Sequence, residues 1–399
     1  MANTFVNASA VSKEFLRVLR SHLPFTNSID RYYDNNTKIG SVKHGGTIAI
    51  RKPTEFNIRT GSVANVQNAT ATSDNLTTAT QFGVDCAITS QQAELNLDSL
   101  SKEVIAPAAA RMAAYLESQA MASMYKDVYN TVGTVGTSPA SSLVWLQAGA
   151  KLDENLAPYE NRCAVINPTA QASTVAALTS LFNPTQKIAK QYESAMMGNA
   201  LGMDFKLGQL APTHTTGTRT NTTPLVDGAS QVGDSLLFKG TGNAVTYVAG
   251  DVFTIAGVYS VNQDKQSTGN LKQFVVKALA TSAAGGGLTV TISPSIVTSG
   301  ATQTVTASPA DGAAVVNIGA TASGVQPQSL VFQKDAFTLA TVDLPMPKGL
   351  DFASREVLDG ISMRVLGDYD IINDQTIYRF DILTGWLAQR PELACRVVA

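Results

Sequence analysis

The strongest constraint on this chain is a pair of alternating segments held apart by a long polar stretch. From Gly46, Ile48 and Ile50 face one way while Thr47, Ala49 and Arg51 face the other, the period-two pattern of a strand. A second alternation starts at Thr80, with Phe82, Val84, Cys86 and Ile88 against Gln81, Gly83, Asp85 and Ala87, and the spacing predicts that it pairs with the first. Nearly thirty mostly polar residues lie between, among them Gly61, Asn65, Asn68, Thr70, Thr72, Ser73, Asp74 and Asn75. Connections of that length in compact domains are functional or disordered. If both arms extend, about twenty residues at ~3.3 Å each reach roughly 65 Å. That exceeds what a domain of this size needs, so such a hairpin must lean on something else.

Helical periodicity appears in two places before and after this stretch. Phe5 to Leu23 carries Val11, Phe15, Val18 and Leu19 at helical spacing and stops at Pro24. It reads equally as an arm on a flexible lead and as a helix packed on its own domain. Leu100 to Val128 has Met112, Leu116, Ala120, Met124 and Val128 every four residues, with Arg111, Glu117 and Lys126 assigned to the surface. Pro107 should open its main part, because proline is tolerated at the first helical position, with Ser99 or Ser101 capping a preceding turn. Further on, Cys163-Ala-Val-Ile166 reads as a buried strand, Asn167-Pro168 as a turn and Thr169 to Phe182 as a helix, a short βα alternation.

The pattern changes near Thr213, where a run of small polar residues precedes a different kind of sequence. Leu236–Phe238, Val245–Val248, Val252–Ile255, Phe274–Val276, Leu288–Ile292 and Val315–Ile318 are short strand candidates between glycine-rich turns. Their spacing predicts a small antiparallel barrel or sandwich inserted into another domain. After Pro327, Phe337–Leu344, Gly360–Leu366 and Tyr378–Leu383 read as the strands that complete the interrupted domain.

Reactive groups do not cluster. His22, His44 and His214 are far apart, no HExxH, GxSxG or Walker pattern occurs, and Gly285-Gly286-Gly287 precedes a strand rather than a helix, so it reads as a turn. Asp368, Asp370 and Asp374 read as solvated turn carboxylates rather than a cation site. Cys86, Cys163 and Cys395 form no CxxC pair and read as buried free thiols in a reducing compartment. The expectation is therefore no catalytic residue, no cofactor and no metal. Lys and Arg total 29 and Asp and Glu 31, a formal charge of −2, which supplies no field to draw phosphate backbones or anionic membranes. No signal peptide or apolar span of about twenty residues is visible.

Several blocks carry a resemblance: Met1-Ala-Asn-Thr-Phe5 with Glu14-Phe-Leu-Arg-Val18, Gly46-Thr-Ile-Ala-Ile-Arg-Lys-Pro53, Ser101-Lys-Glu-Val-Ile-Ala-Pro-Ala108, Tyr125-Lys-Asp-Val-Tyr-Asn-Thr-Val-Gly133, Tyr378-Arg-Phe-Asp-Ile-Leu-Thr-Gly385 and Arg390-Pro-Glu-Leu-Ala-Cys-Arg396. In order and spacing they resemble the P22-like bacteriophage major capsid (coat) protein family, a branch of the HK97-type capsid fold. The resemblance implies an α+β capsid fold with residues 1–36 as N-terminal arm, 37–93 as extended hairpin loop and 94–130 as spine-helix region. Residues 131–222 and 326–399 would form the peripheral and axial domains, and 223–325 an inserted antiparallel β-barrel-like domain on the outer face. It also implies pentamers and hexamers that close as an icosahedral shell around double-stranded DNA without reading its sequence. The partners implied are the chain itself, scaffolding and portal proteins and a decoration protein, with assembly in the host bacterial cytoplasm and no membrane. No cleaved scaffolding segment is expected before the arm, and the Lys–Asn crosslink that Lys43 and Lys52 make thinkable is not required in this branch. Arg51, Lys52, Glu55 and Arg59 on the hairpin are the candidate intersubunit contacts. The alternative is another phage or bacterial β-rich structural protein, of tail-tube or surface-layer type, which would not need the long helix.

Overall fold

The computed structural model describes residues 8–33, 47–54, 56, 58–59, 61–64, 66–68, 73–89, 104–178, 197–219, 223–262, 264–319 and 322–398. The chain divides into two compact units, one of Met1–Arg51, Ser73–Ala120 and Phe337–Leu387, the other of Lys52–Thr72, Met121–Ala336 and Ala388–Ala399.

The first unit is built on a sheet of six strands among the described residues. Its path runs Asp30–Tyr33, Thr338–Val342, Gln375–Leu387, Ile361–Asp370, Phe352–Leu358, and Thr80–Thr89 pairs with Gln375–Leu387 off this path. Asp30–Tyr33 runs parallel to Thr338–Val342, and the other pairings are antiparallel. Register sets Val84 opposite Phe380 and Phe82 opposite Ile382, cross-strand apolar pairs that fix which face is covered. That cover is helix α1, Ala8–Ser21, whose Phe15 stacks on Phe380 at 4.6 Å between ring centroids. Phe15, Leu16, Leu19 and Leu23 are buried while Arg17 and Arg20 stay exposed. The N-terminal helix therefore packs on its own unit.

Helix α2, Ala106–Met124, opens with Pro107 in its first turn and buries Met112, Ala113, Leu116 and Ala120. One surface assignment fails here. Glu117 is buried, and its carboxylate accepts from the backbone N–H of Phe25, from that of Thr26 at 3.1 Å and from the Thr26 hydroxyl at 2.6 Å. A buried charge persists when its lone pairs are filled this way. Helical spacing cannot reveal such partners, which lie about ninety residues earlier in the chain.

The predicted pairing of the two alternating segments also needs correcting. Thr47–Arg51 pairs antiparallel with Ser73–Thr77, Ile48 facing Leu76 and Arg51 facing Ser73, whereas Thr80–Thr89 joins the large sheet. Ser-Asp-Asn-Leu-Thr hides a strand because a single residue of it, Leu76, is fully buried. Gly385 makes the seat possible, since a Cβ there would fall 2.4 Å from the Thr77 carbonyl oxygen.

The second unit contains two sheets of note. A seven-stranded sheet, counted among the described residues, has the order Thr131–Val132, Ala394–Val398, Val325–Gln333, Arg162–Ile166, Met203–Leu207, Asn199–Ala200, with Thr213–Thr215 against Val325–Gln333. Arg162–Ile166 and Met203–Leu207 are parallel, as the βα alternation requires. Helix α3, Ser142–Glu154, is capped by the Ser141 hydroxyl, which accepts from Leu143 N–H at 3.1 Å. Helix α4, Pro168–Leu178, is capped by Asn167 Oδ1, which accepts from Ala170 N–H at 2.7 Å. Trp145 of α3 donates to Thr174 of α4 at 3.2 Å and meets Phe205 edge-on, tying both helices to the sheet. The predicted extension of α4 to Phe182 falls outside the described residues.

Between Leu225 and Ile318 the chain forms a barrel. The order is Leu225–Val226, Gly233–Lys239, Leu288–Ile296, Ser267–Val276, Val252–Val261, Val315–Ile318. It closes where Leu225 bridges Ala314, with Val226 N–H donating to the Ala313 carbonyl at 2.9 Å and Val315 N–H to the Pro224 carbonyl at 2.8 Å. Closure removes the open edges that invite unwanted strand pairing. Inside, Phe238, Phe253 and Phe274 pack ring against ring among Leu236, Ile255 and Val290. The alternation Leu288, Val290, Ile292 is the inward face of one strand.

Candidate intersubunit surface and a buried polar centre

Three of the four hairpin residues singled out from the sequence are described. Arg51 ends its strand exposed, as the period-two pattern demands, while Ile48 and Ile50 of the opposite face are half-buried. Lys52 is half-buried and Arg59 is exposed; Glu55 lies outside the described residues. Arg59 also shapes its own loop: its guanidinium donates to the carbonyls of Gly61 and, at 3.1 Å, of Val63. Charge at this position is therefore presented on a turn that the same side chain holds.

Sequence reasoning treated the stretch as polar and missed its apolar members. Phe56 is 57% exposed, Ile58 85%, Val63 83% and Val66 89%. Single exposed apolar residues need no explanation, but several within one short stretch, with the exposed Arg59 among them, are what an interaction surface presents. The signal was present as four large apolar residues at irregular spacing, and periodicity searches discard irregular spacing.

The second unit holds an unforeseen buried polar centre. His214, on Thr213–Thr215, approaches Asp251 through Nε2 at 3.1 Å and the Tyr125 hydroxyl through Nδ1 at 3.1 Å. Asp251 further accepts from Val248 N–H at 2.9 Å and Gly217 N–H at 3.3 Å, and Arg219 Nη2 lies 3.6 Å away. Burial alone would raise the Asp251 carboxyl, but the His214 hydrogen bond and the Arg219 charge outweigh it and hold the group below its ordinary value. Arg396 donates through Nη1 to the Gly250 carbonyl at 2.9 Å, and its guanidinium carbon lies 5.8 Å from the Tyr125 ring centroid.

Tyrosine, histidine and aspartate in series have the outline of a proton relay, but the chemistry is wrong for a nucleophile. Burial pushes the Tyr125 phenol up, the opposite of the depressed value that marks an activated nucleophile. The centre instead fastens segments distant in sequence: the end of α2, the strand before the barrel, the turn at Gly250 and the C-terminal strand. A lone His in a Thr-rich run gives no hint of this, because its partners lie 37 and 89 residues away.

The other groups considered from the sequence sit apart. His22 is exposed and His44 lies outside the described residues. Asp370 and Asp374 are occupied in the hairpin turn, accepting from Ile372 N–H at 2.9 Å and from the Tyr369 hydroxyl at 2.6 Å. Cys163 and Cys395 are buried, Cys86 is half-exposed, and all three are free thiols. No helix among the described residues is long and apolar enough to cross a membrane.

A family model described as P22 coat protein, gene protein 5, matches residues 1–396. A search of curated proteins returned no match. Among solved structures, a chain of Mycobacterium phage Che8 is 10% identical with a TM-score of 0.45, covering 89% of this chain and 85% of its own. The capsid of Ralstonia phage GP4 is 9% identical with a TM-score of 0.44, covering 93% and 87%, and that of cyanophage P-SCSP1u is 10% identical with a TM-score of 0.44, covering 93% and 86%. The family match, spanning nearly the whole chain, carries the assignment.

Proposed function

We propose, for a chain that belongs to the P22 coat protein family and is a major capsid protein of a tailed bacteriophage, that the hairpin beyond Arg51 is the arm by which one copy grips the next. The tail-tube and surface-layer alternative gives way to that membership. The observation that carries the proposal is the exposure of Phe56, Ile58, Val63 and Val66 within one short stretch that also holds the exposed Arg59. Apolar surface of this kind gains free energy only when another molecule covers it.

The chain self-assembles into a shell, and the finer picture follows the family's architecture. Copies form pentamers and hexamers of an icosahedral, HK97-type wall. Residues 1–36 act as arm, 37–93 as the extended loop, 94–130 as spine, 131–222 with 326–399 as peripheral and axial domains, and 223–325 as an insertion facing outward. Scaffolding and portal proteins, and a decoration protein, are the further partners, with assembly in the bacterial cytoplasm. The formal charge of −2 supports a wall that confines double-stranded DNA rather than grips it. The subunit performs no chemistry; its work is done by many modest contacts, each weak enough to correct errors and strong in sum.

Arg51→Glu and Arg59→Glu test the arm. Both variants are expected to fold with an unchanged thermal transition and to give no closed shells by electron microscopy of the expressed chain with its assembly partners. Normal particles from both would remove the arginines from the interface.

A further inference from the structure

Four buried polar side chains of the second unit, Thr131, Gln326, Gln328 and Arg396, line one small cavity. They are exposed by 5%, 3%, 1% and 2% respectively. Among the described residues, Thr131 Oγ1, Gln326 Nε2, Gln328 Oε1 and Arg396 Nε and Nη2 have no hydrogen-bond partner. Buried polar atoms are almost always paired, because desolvating them gains nothing in exchange. That so many unpaired atoms share one cavity is a single fact to be explained, and it points to one occupant.

From this geometry we infer that the cavity is the seat of a structural water. The cavity is about 10 Å³, close to what the centre of one water requires. Its polar lining is mixed in a way that selects the ligand. Arg396 Nε and Nη2 and Gln326 Nε2 can only donate, while Gln328 Oε1 can only accept. The orientation of Gln328 is set by its own Nε2, which donates to the Gln326 carbonyl at 3.3 Å. The Thr131 hydroxyl serves either role. A water accepts two hydrogen bonds and donates two, so it can take two of the three donors and still donate to Gln328 Oε1 and to the Thr131 hydroxyl. A halide would satisfy the arginine and Gln326 but face the Gln328 oxygen, and an apolar atom would satisfy none.

The water closes a circuit that the protein leaves incomplete. Arg396, on the C-terminal strand, already reaches Gly250 at the base of the barrel through Nη1. Gln326 and Gln328 belong to Val325–Gln333, and Thr131 follows α2 and exchanges hydrogen bonds with Gln273 of the barrel, at 2.7 Å from its N–H and 2.9 Å to its carbonyl. Gly319 leaves the room, since a Cβ there would fall 2.6 Å from Gln326 Nε2. One water thus joins three strands of the sheet, two of which already hold the barrel through Thr131 and Arg396.

The test uses the full chain, as subunit or shell, at a resolution that shows ordered solvent. One density peak is expected at roughly 2.7–3.2 Å from Arg396 and Gln328, unchanged when bromide replaces chloride in the buffer. Absence of a peak overturns the inference, and so does an anomalous bromide signal at the site, which would make the occupant an anion. Gln328→Met and Thr131→Val remove its partners one at a time. Each is expected to lower Tm by about 2–4 °C, and an unchanged or raised Tm in both overturns the inference.

Discussion

The barrel and the hairpin are both two-faced β structure, yet they solve the burial problem in opposite ways. The barrel turns Phe238, Phe253, Phe274 and their aliphatic neighbours inward and closes its last edge with the Leu225–Ala314 bridge. The hairpin has the two paired strands at its base and then carries Phe56, Ile58, Val63 and Val66 into solvent. A closed barrel completes its own core; the hairpin's apolar residues stay exposed, and under the proposed function a neighbour covers them. On that proposal, loss of a barrel core residue is expected to unfold the subunit, and loss of a hairpin residue to spare the subunit and abolish the shell.

The harshest way to break that comparison is Phe253→Ala, which empties the centre of the barrel. It should cost about 3–5 kcal/mol in urea-induced unfolding, and a cost near zero would mean that the barrel does not carry its own stability. Asp251→Asn comes next, at about 3 kcal/mol, because it removes the buried carboxylate that His214 and Arg219 face. Its pH dependence has a definite sign. The folded carboxyl titrates below its ordinary value, so its contribution is complete above the usual carboxylate range and is lost as pH falls through the depressed value. The acid limb of wild-type stability should flatten in Asp251→Asn.

Lys272 gives a smaller, alkaline counterpart. Its ammonium lies 4.8 Å from the Tyr129 ring centroid on a barrel strand, and burial pulls its pKa down to about 8, against the attraction of Glu392. Between about 8 and the ordinary 10.5 the unfolded chain holds a proton that the folded chain has released, so stability should rise with pH across that window. The gain is at most on the order of 3 kcal/mol, and Lys272→Met should abolish the slope. The gentlest change for the subunit is Ile58→Ser combined with Val66→Ser. Thermal stability should move by less than about 0.5 kcal/mol, while the concentration needed for shells, read by light scattering, should rise tenfold or more. A stability loss as large as that of Phe253→Ala would show that the tip is core after all.

Elements whose burial follows one period were legible in the sequence. Leu288, Val290 and Ile292, Phe82 to Ile88, and Phe15 with Leu19 all point inward where periodicity places them. Strands that bury polar side chains were not. Val325–Gln333 contains Gln326, Pro327, Gln328, Ser329 and Gln333, and only its pairing with Arg162–Ile166 and Ala394–Val398 makes it a central strand. Phe352–Leu358 is not among the strands expected from the sequence, because Arg355 and Glu356 interrupt its apolar residues. The same blindness applied to sites. Arg51 and Arg59 stood out as charges, whereas Glu117, His214 and Arg396 acquire meaning from partners that the fold brings from far along the chain.

Asp30–Tyr33 lies beside Thr338–Val342, so the first unit joins residues 308 positions apart, from Asp30 to Thr338. The barrel needs only the 93 positions from Leu225 to Ile318. Short loops close at lower entropic cost, and a chain leaves the ribosome from its N-terminus. The 69 residues from Ile318 to Leu387 take roughly 3–14 s to synthesise, ample time for a small barrel to finish. A nascent subunit is therefore expected to carry a folded bead in its middle and an N-terminal strand still awaiting its partner, and that interval is when a neighbouring nascent chain, or a chaperone, can claim the strand first.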